Sequence, residues 1–360
     1  MLRFYKKLCK SKELVTFASM DSLTQIVLGA ACGEIALGKK IGNKAMLFGA
    51  IGGTIPDLDV IIGSLFYSND IDSLAFHRGF MHSILFSLIG SLIFGFITSE
   101  LYNSGKFRKG TTNLKDWIWL FFLSIFTHPI LDSFTPYGTQ LFLPFTDYRV
   151  AFNTISVVDP LYTIPFLLCL IIVMFFNRKN PWRLKWTKVG IYISSAYMVF
   201  TIINKIYMDS VFEKSFKEAN IQYSRFSAQP TILNNMLWYA VAETDTNYHL
   251  TFYSLFDKEN SATKFTIIPK NHDILDMNHP DLKTLTWFSK DYYTLSKIDS
   301  TGQIIYKDLR YPLLNENDSN SSLFRFELVQ EGDRWNTKQS FGPSISKDVF
   351  NQFIDRIFDN

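Results

Sequence analysis

The sequence contains few cysteines and little charge, and each scarcity excludes a class of protein. Its 360 residues include three cysteines, Cys9, Cys32 and Cys169, and no two of them form a CxxC pair. Neither a disulfide framework nor a thiolate zinc site is therefore supported. Charged residues make up 19% of the chain and the net charge is +3, which gives no reason to expect a nucleic-acid partner.

Charge is missing altogether from long stretches of the first half. Asp, Glu, Lys and Arg are absent from residues 79–99, 117–131, 160–176 and 189–203. A helix needs about 20 mostly apolar residues to cross a bilayer, so each stretch is a candidate membrane segment. Residues 22–38 and 45–66 are weaker candidates because they contain carboxylates. Together they predict an α-helical bundle of about six membrane segments, the first of them half-spanning or re-entrant.

Basic residues indicate the orientation of this bundle, because Lys and Arg concentrate in cytoplasmic loops. They cluster in three loops on one side: 39–44, 102–115 and 177–188. The alternate loops, 67–76 and 133–156, contain a single basic residue, Arg149. The pattern predicts a multi-pass membrane protein, with the chain after residue 208 outside the cytoplasm. Glu34 falls near the inner ends, where we expect it to meet Lys39 or Lys40 in water.

The chain divides into three predicted regions. Residues 1–19 form a basic extension that this orientation would place outside, so we expect translation to begin at Met20. Residues 20–208 form the membrane helical domain, and residues 209–360 form an extracytoplasmic domain. That last domain contains short stretches rich in Tyr, Phe, Trp, Thr and Ile, such as 235–243, 248–256 and 284–298, which favour strands. We predict a β-rich (α+β) domain closed by a C-terminal helix.

Ionisable groups inside membrane segments are costly, so each is a functional candidate. The orientation derived from Lys and Arg alone brings the polar side chains of the membrane half to one leaflet. They are Asp21, Asp57, Asp59, His77, His82, His128, Asp132 and Asp159. That agreement is the strongest functional signal in the sequence.

The spacing of these residues is compatible with one site. His128 and Asp132 are four apart and lie on one face of a helix. Asp57 and Asp59 are two apart, so they converge only if Pro56 and nearby glycines open the helix. Imidazoles and carboxylates without thiolates suit zinc, with manganese or iron as alternatives, in a one-metal or two-metal site.

Simpler interpretations remain for individual residues. Asp21 and Asp159 stand at helix starts, where aspartate commonly caps the helix. Arg78 either faces lipid headgroups or binds an anion such as phosphate in a bidentate manner.

Several motifs of the membrane half follow one another: "MDSLTQIVLGAACGE", "GTIPDLDVI", "FHRGFMHS", "THPILDSFTPYGTQLFLPF" and "NTISVVDPLYT". In this order they resemble the motifs of the membrane-bound metal-dependent hydrolase family that includes YdjM-like bacterial inner-membrane proteins. The resemblance covers roughly residues 20–210 and implies a hydrolytic metal site without naming a substrate. The implied ligands are Asp57, Asp59, His77, His82, His128 and Asp132.

The sequence thus favours a metal-dependent hydrolase at the outer face of the membrane, acting on an amphiphilic ester or phosphoester such as a lipid. A metal-activated water would be the nucleophile, Asp59 or Asp132 the general base, and Arg78 the group that stabilises negative charge. The bilayer and a lipid-like substrate are the expected partners; the sequence identifies no protein partner. The alternative is a non-enzymatic protein with a structural or sensing metal site and an envelope-binding outer domain.

Overall fold

A computed structural model describes residues 12–105, 110–298, 301–313, 321–322, 324–339 and 347–358. The described residues form two compact units. The first is drawn from Met1–Asp59, Arg78–Phe152 and Val157–Phe200, and the second from Val60–His77, Asn153–Ser156 and Thr201–Asn360. The chain passes between the units more than once, and the domain boundary predicted after residue 208 stays a prediction.

The described part of the chain is helical before its first strand. The helices are α1 (Lys12–Ile41), α2 (Asn43–Thr54), α3 (Leu58–Phe66), α4 (Asp70–Phe76), α5 (Ile84–Asn103), α6 (Leu114–Asp132), α7 (Pro160–Met174) and α8 (Pro181–Glu218), with a 3-10 turn at Phe80–His82. Local caps set several of the starts. Ser83 accepts a hydrogen bond from the Phe86 N–H and so begins α5 directly after His82.

Four helical stretches are long and apolar enough to cross a membrane. They are Asn43–Phe66, which joins α2 and α3, and α5, α6 and α8. These correspond to four of the six predicted segments. The predicted segment 160–176 is the shorter apolar helix α7, and 22–38 lies within α1. The described residues therefore contain four candidate membrane spans, whereas the number six is not confirmed.

Helices α1 and α2 contact each other backbone to backbone. A Cβ atom on Gly29 would lie 2.4 Å from the Gly49 carbonyl oxygen, and one on Gly53 would lie 2.5 Å from the Gln25 carbonyl oxygen. Gly33 and Gly49 are equally crowded. Small residues at every fourth position allow such close approach between helices in a membrane. We call this contact between α1 and α2 the seam. It brings the end of α2 against Gln25 on α1.

The helical path breaks between α2 and α3 at Pro56, so the condition stated from the sequence, an opening of the helix near this proline, is met. Residues 55–57 form a turn, and α3 begins at Leu58. Proline has no N–H to donate to a preceding carbonyl, so the ladder of hydrogen bonds is interrupted there. Asp57 consequently lies in the turn and Asp59 in the first turn of α3.

We expected Glu34 to meet Lys39 or Lys40 in water, and this prediction is wrong. It is buried and paired with Arg183 of α8, whose Nε and Nη2 donate to its two carboxylate oxygens at 2.9 and 2.6 Å. Arg183 also donates to the carbonyl oxygens of Val173 and Phe176 at the end of α7. The pair therefore ties α1, α7 and α8 together.

The second unit contains two four-stranded antiparallel sheets. The first is β1 (Arg225–Pro230), β2 (Leu237–Glu243), β3 (Asn247–Ser254) and β4 (Thr266–Pro269), and the second is β5 (Tyr293–Lys297), β6 (Ile304–Asp308), β7 (Arg325–Glu331) and β8 (Arg334–Gln339). In each sheet the strands are ordered as in the chain. Two further helices are α9 (Pro280–Phe288) and α10 (Lys347–Phe358). The predicted β-rich domain with a C-terminal helix is confirmed.

The strand predicted for 284–298 is correct only in its second half. Residues 284–288 belong to α9, because Pro280 occupies its first turn and the His279 ring accepts a hydrogen bond from the Asp281 N–H. Leu282, Leu285 and Phe288 then fall at helical spacing and are buried. Packing overrides the strand propensity of this Thr- and Trp-rich segment.

Helix α4 is part of the second unit's core, although it lies between two membrane segments in the sequence. Ile71 is fully buried and packs in one apolar cluster with Leu282 and Leu285 of α9 and Tyr306 of β6. A second cluster joins the end of α8, through Phe212 and other residues, to the first sheet.

Candidate metal centre

Three predicted ligands lie together in the first unit. Asp57 comes from the turn after α2, His82 from the 3-10 turn before α5, and His128 from the last turns of α6. One ligand atom of each lies within 4.8 Å of the others. The sequence-based prediction that these distant motifs form one cluster therefore has a structural counterpart.

The two imidazoles face each other through the same ring atom. His82 Nε2 and His128 Nε2 are 3.1 Å apart, and Asp57 Oδ1 is 3.5 and 3.4 Å from them. Ligands held about 2.0–2.1 Å from a tetrahedral zinc ion would be about 3.3 Å from one another. The separations and the nitrogen–oxygen donor set both fit a divalent cation such as zinc.

The opposite ring nitrogens are held by acceptor groups. His128 Nδ1 lies 2.6 Å from the Gly53 carbonyl oxygen, and His82 Nδ1 lies 3.0 Å from Asp59 Oδ2. A carbonyl oxygen only accepts hydrogen bonds, so the hydrogen of a neutral His128 belongs on Nδ1. Its Nε2 lone pair is then directed toward His82. Groups that hold the second nitrogen in this way are typical of metal-binding histidines.

Asp132 lies next to the three clustered residues. Its Oδ2 is 3.4 Å from each of the two Nε2 atoms and 3.3 Å from Arg78 Nε. Its Oδ1 accepts a hydrogen bond from Gln25 Nε2 at 2.7 Å. Oδ2 is buried and accepts no hydrogen bond from the described residues. Arg78 already supplies positive charge on one side of this buried oxygen, and a cation next to both imidazoles would supply it on the other.

Arg78 connects Asp59 and Asp132. Its backbone has a φ of 56°, a left-handed conformation that is strained for a residue with a side chain. In this conformation its N–H donates to Asp59 Oδ2 at 2.9 Å, and its Nη1 donates to Thr135 Oγ1 at 2.9 Å. The guanidinium also lies over the Tyr137 ring, 4.9 Å from its centroid. Arg78 is thus buried among protein groups.

The remaining predicted residues have other places. His77 ends α4 in the second unit and is outside the three-residue group found among the described residues. Asp159 caps α7: its Oδ1 accepts from the N–H groups of Leu161 and Tyr162, and its Oδ2 accepts from the Tyr197 hydroxyl. The Asp21 side chain lies outside the part of the chain that the structure describes. Whether His77, Asp21 or Asp159 contributes to function stays a prediction.

Sequence analysis missed two groups that shape the cluster. Gln25 Nε2 donates to the His128 carbonyl oxygen at 3.3 Å as well as to Asp132. A glutamine amide inside an apolar helix is a signal that could have been weighed with the carboxylates. The Gly53 carbonyl has no such signal, because a backbone acceptor is the same in every residue.

The cluster is open on the side of Asp57. The side chains of His82, His128, Asp59 and Asp132 are at most 1% exposed, whereas that of Asp57 is 23% exposed. Ser22 Oγ donates to the other Asp57 oxygen at 3.4 Å. Water or a ligand would therefore reach the cluster past Asp57 and Ser22.

Comparison with known proteins places the helical part in a known group. Residues 20–208 match the family model described as "YdjM inner membrane protein". "Uncharacterized protein YfhP" of Bacillus subtilis (strain 168) is 32% identical over 148 residues, which are 39% of this chain and 42% of that protein. "Inner membrane protein YbcI" of Escherichia coli (strain K12) is 31% identical over 122 residues, 33% of this chain and 64% of that protein.

The chain therefore spans less than two thirds of the length of either curated relative. Neither printed name states a reaction. No solved structure matches the chain.

Proposed function

The chain belongs to the YdjM inner membrane protein family, and from this premise we propose that it is a membrane-embedded, metal-dependent hydrolase. The observation that carries the proposal is the convergence of Asp57, His82 and His128, with both Nδ1 atoms held from behind. The substrate class is an amphiphilic ester or phosphoester such as a lipid. The reaction would occur at the outer face of the bacterial cytoplasmic membrane.

The residues that would hold the ion are Asp57, His82 and His128, with Asp132 beside them. Zinc suits this donor set, and manganese or iron are the alternatives. A bound divalent ion supplies a Lewis acid that polarises the substrate and lowers the pKa of water to about 7.

The two candidate bases have different surroundings. Asp59 faces His82 Nδ1 and accepts from the Arg78 N–H, so it is suited to orient the imidazole. Asp132 has one oxygen held by Gln25 and the other directed at the two Nε2 atoms. We assign the general base to Asp132. Arg78, 3.3 Å from that carboxylate, offers positive charge where negative charge would develop.

The location of the cluster favours an amphiphilic substrate. Asp132 is the last residue of α6, and His82 lies two residues before α5, so the cluster is at one end of two apolar spans. A polar headgroup at that depth would meet the cluster while its acyl chain stayed among apolar helices. The basic loops lie at the opposite helix ends, which supports an extracytoplasmic site.

A non-enzymatic function is the second candidate. Asp132 Oδ2 lies 3.4 Å from both Nε2 atoms and would complete a set of four protein ligands, and such closed sites are typical of structural rather than catalytic zinc. In that case the ion would stabilise the helical fold, or its binding would serve to sense the metal, and the domain after residue 208 would bind an envelope component.

Metal analysis of the detergent-purified chain tests the shared site. We expect one bound ion equivalent in the wild type and its loss in both His82→Ala and His128→Ala, because each removes one ligand. His249→Ala, in β3, is the control and should keep full occupancy. Full occupancy in both site variants would contradict the proposal.

Lipid turnover then separates the two candidate functions. Purified wild type and Asp132→Asn are incubated with membrane lipids, and free fatty acid and released headgroup are quantified by mass spectrometry. Product formed by the wild type and absent with Asp132→Asn supports hydrolysis. Metal binding without any product in either protein favours the non-enzymatic function.

A further inference from the structure

The loop between α6 and α7 exposes several aromatic rings. Phe142 is 47% exposed, Phe145 is 86% exposed and Tyr148 is 60% exposed. All three fall within residues 142–148, which contain a single charged residue, Asp147. We call residues 142–148 the aromatic tip. It lies outside every helix that is long and apolar enough to cross a membrane in the described part of the chain.

Hydrogen bonds hold the base of the aromatic tip in place. Thr139 and Val150 exchange backbone hydrogen bonds of 3.0 and 2.9 Å, which close the loop below the tip. The Gln140 N–H donates to the Arg78 carbonyl at 3.0 Å, and the Leu141 carbonyl accepts from the Ile84 N–H at 2.9 Å. Arg78 and Ile84 lie on either side of His82 in the chain. The base is therefore joined to the segment that carries this candidate ligand.

The same contact places the base of the tip at the start of an apolar helix face. Ile84 is the first residue of α5, and Leu88, one turn further, is 48% exposed, followed by Leu92 at 56%. Helix α5 is long and apolar enough to cross the membrane, so this face contacts acyl chains. The tip consequently stands at the end of a lipid-facing surface, at the depth where the bilayer changes from hydrocarbon to headgroups.

Aromatic side chains are favoured at that depth. Phe and Tyr rings bury apolar area, and the Tyr hydroxyl keeps a hydrogen-bond partner in the headgroup region. Asp147 and Thr146 are exposed polar residues within the tip, and their presence limits how deeply it enters.

We propose that the aromatic tip inserts into the interfacial layer of the bilayer beside the metal centre. Its partner is the lipid surface itself. The inserted rings hold the segment that carries His82 at a defined depth, next to the headgroups of the same leaflet. The proposal depends on membrane insertion alone and stands whether or not the centre hydrolyses lipid.

The test is a depth measurement on the full-length chain in liposomes of phosphatidylethanolamine and phosphatidylglycerol. The native cysteines are replaced by alanine, and a nitroxide is attached at Phe145→Cys or Tyr148→Cys. Collisions with oxygen, which partitions into lipid, are compared with collisions with a water-soluble nickel chelate. Leu92→Cys is the lipid-facing control, and Asp333→Cys, in the exposed turn between β7 and β8, is the aqueous control.

We expect the oxygen-to-nickel collision ratio at both tip positions to be several-fold higher than at position 333 and to approach that at position 92. A ratio equal to that at position 333 overturns the proposal, because the tip would then lie in water. Low accessibility to both reagents also overturns it, because the tip would be covered by protein, including a second copy of the chain. Labelled variants are compared only when the Leu92 control gives a lipid-like ratio, which shows that the cysteine-free chain is inserted.

Discussion

At the scale of single residues, the candidate centre depends on groups outside the set of three proposed ligands. Gln25 is buried, and its amide nitrogen donates both to Asp132 Oδ1 and to the His128 carbonyl oxygen. These two bonds fix one ligand and its neighbouring carboxylate relative to each other. Gly53 does the same for the His128 ring through a backbone oxygen. The ligands are oriented by neighbours that lie far away in the sequence.

Replacing Gln25 by leucine should weaken metal binding without removing a ligand. The substitution keeps the side-chain size but leaves Asp132 free to turn away from the imidazoles. Loss of such a supporting hydrogen bond typically costs about 10–100-fold in metal affinity. A competitive chelator titration of the purified chain measures this change.

Thr24→Val is the matched control for Gln25→Leu. Thr24 is also buried on α1, but its hydroxyl bonds to Thr163, away from the centre. We expect an unchanged metal affinity in this variant. Equal affinities of Gln25→Leu and wild type would show that the amide has no role in positioning Asp132.

At the scale of helices, the seam between α1 and α2 determines where the ends of these helices stand. Gly29 and Gly49 allow the two backbones to touch, and the same seam places Gly53 and Gln25 against each other. Both of those residues then contact His128. Helix packing in the membrane and ligand orientation therefore have the same physical cause.

Adding a methyl group to the seam should separate the helices. In Gly49→Ala the new Cβ would lie 2.2 Å from the Gly29 carbonyl oxygen, a distance that only movement of the backbone relieves. We expect both a lower thermal unfolding temperature in detergent and a reduced metal occupancy. Differential scanning fluorimetry and metal analysis of the same preparation measure the two effects.

Gly90→Ala distinguishes crowding from a general effect of replacing glycine. At Gly90 of α5 the nearest atoms to a new Cβ are side-chain atoms at 3.5 Å, an ordinary contact. Alanine is favoured over glycine inside a helix by about 0.5–1 kcal/mol, so stability should stay the same or rise. The prediction for Gly49 fails if both variants keep their metal and their stability.

At the scale of the whole molecule, the second unit is assembled from separate pieces of the chain. Arg334 of β8 donates to Asp281 of α9 and to Asp72 of α4, at 2.9 and 3.0 Å. The Trp335 N–H also donates to Asp281. Helix α4 is thereby joined by charge, as well as by the burial of Ile71, to elements that follow it by some 200 residues. A segment between two membrane helices is thus a structural part of the C-terminal fold.

The stability of this assembly should fall at acidic pH. Burial acts to raise the pKa of Asp281, but hydrogen bonds from Arg334 and Trp335 outweigh it, so the pKa is lowered in the folded state. A carboxyl group with a lowered pKa stabilises the folded state fully at pH values above its pKa in the unfolded chain, which is about 3.9 for Asp. This stabilisation is lost as the pH falls from that value through the lower pKa of the folded state. Hydrogen exchange of α4, α9 and β8, corrected for intrinsic rates, should show protection decreasing over that interval.

Asp281→Asn tests the origin of this pH dependence. Without the titrating carboxyl, protection should already be lower at neutral pH and should change less on acidification. Asp276→Asn, an exposed aspartate just before α9, should behave as the wild type. An unaltered acid response in Asp281→Asn would assign the effect to other groups.

The sequence alone determined the features that depend on local composition. Charge-free stretches predicted the apolar spans, because transfer into lipid depends on the residues of the stretch itself. Pro56 and the nearby glycines marked where the helix could open, and the residue types Asp and His predicted the donor set of the cluster. Alternating aromatic and β-branched residues predicted the sheets, except where the helix at Pro280–Phe288 prevailed.

Only the tertiary structure decided the relations between distant residues. It replaced the expected Lys39 or Lys40 by Arg183 as the partner of Glu34, placed α4 in the second unit's core, and showed Gln25 and Gly53 behind the ligands. Each of these contacts joins residues separated by tens or hundreds of positions. Their free energy arises from packing and burial after the chain has folded, so no local pattern of residues encodes it.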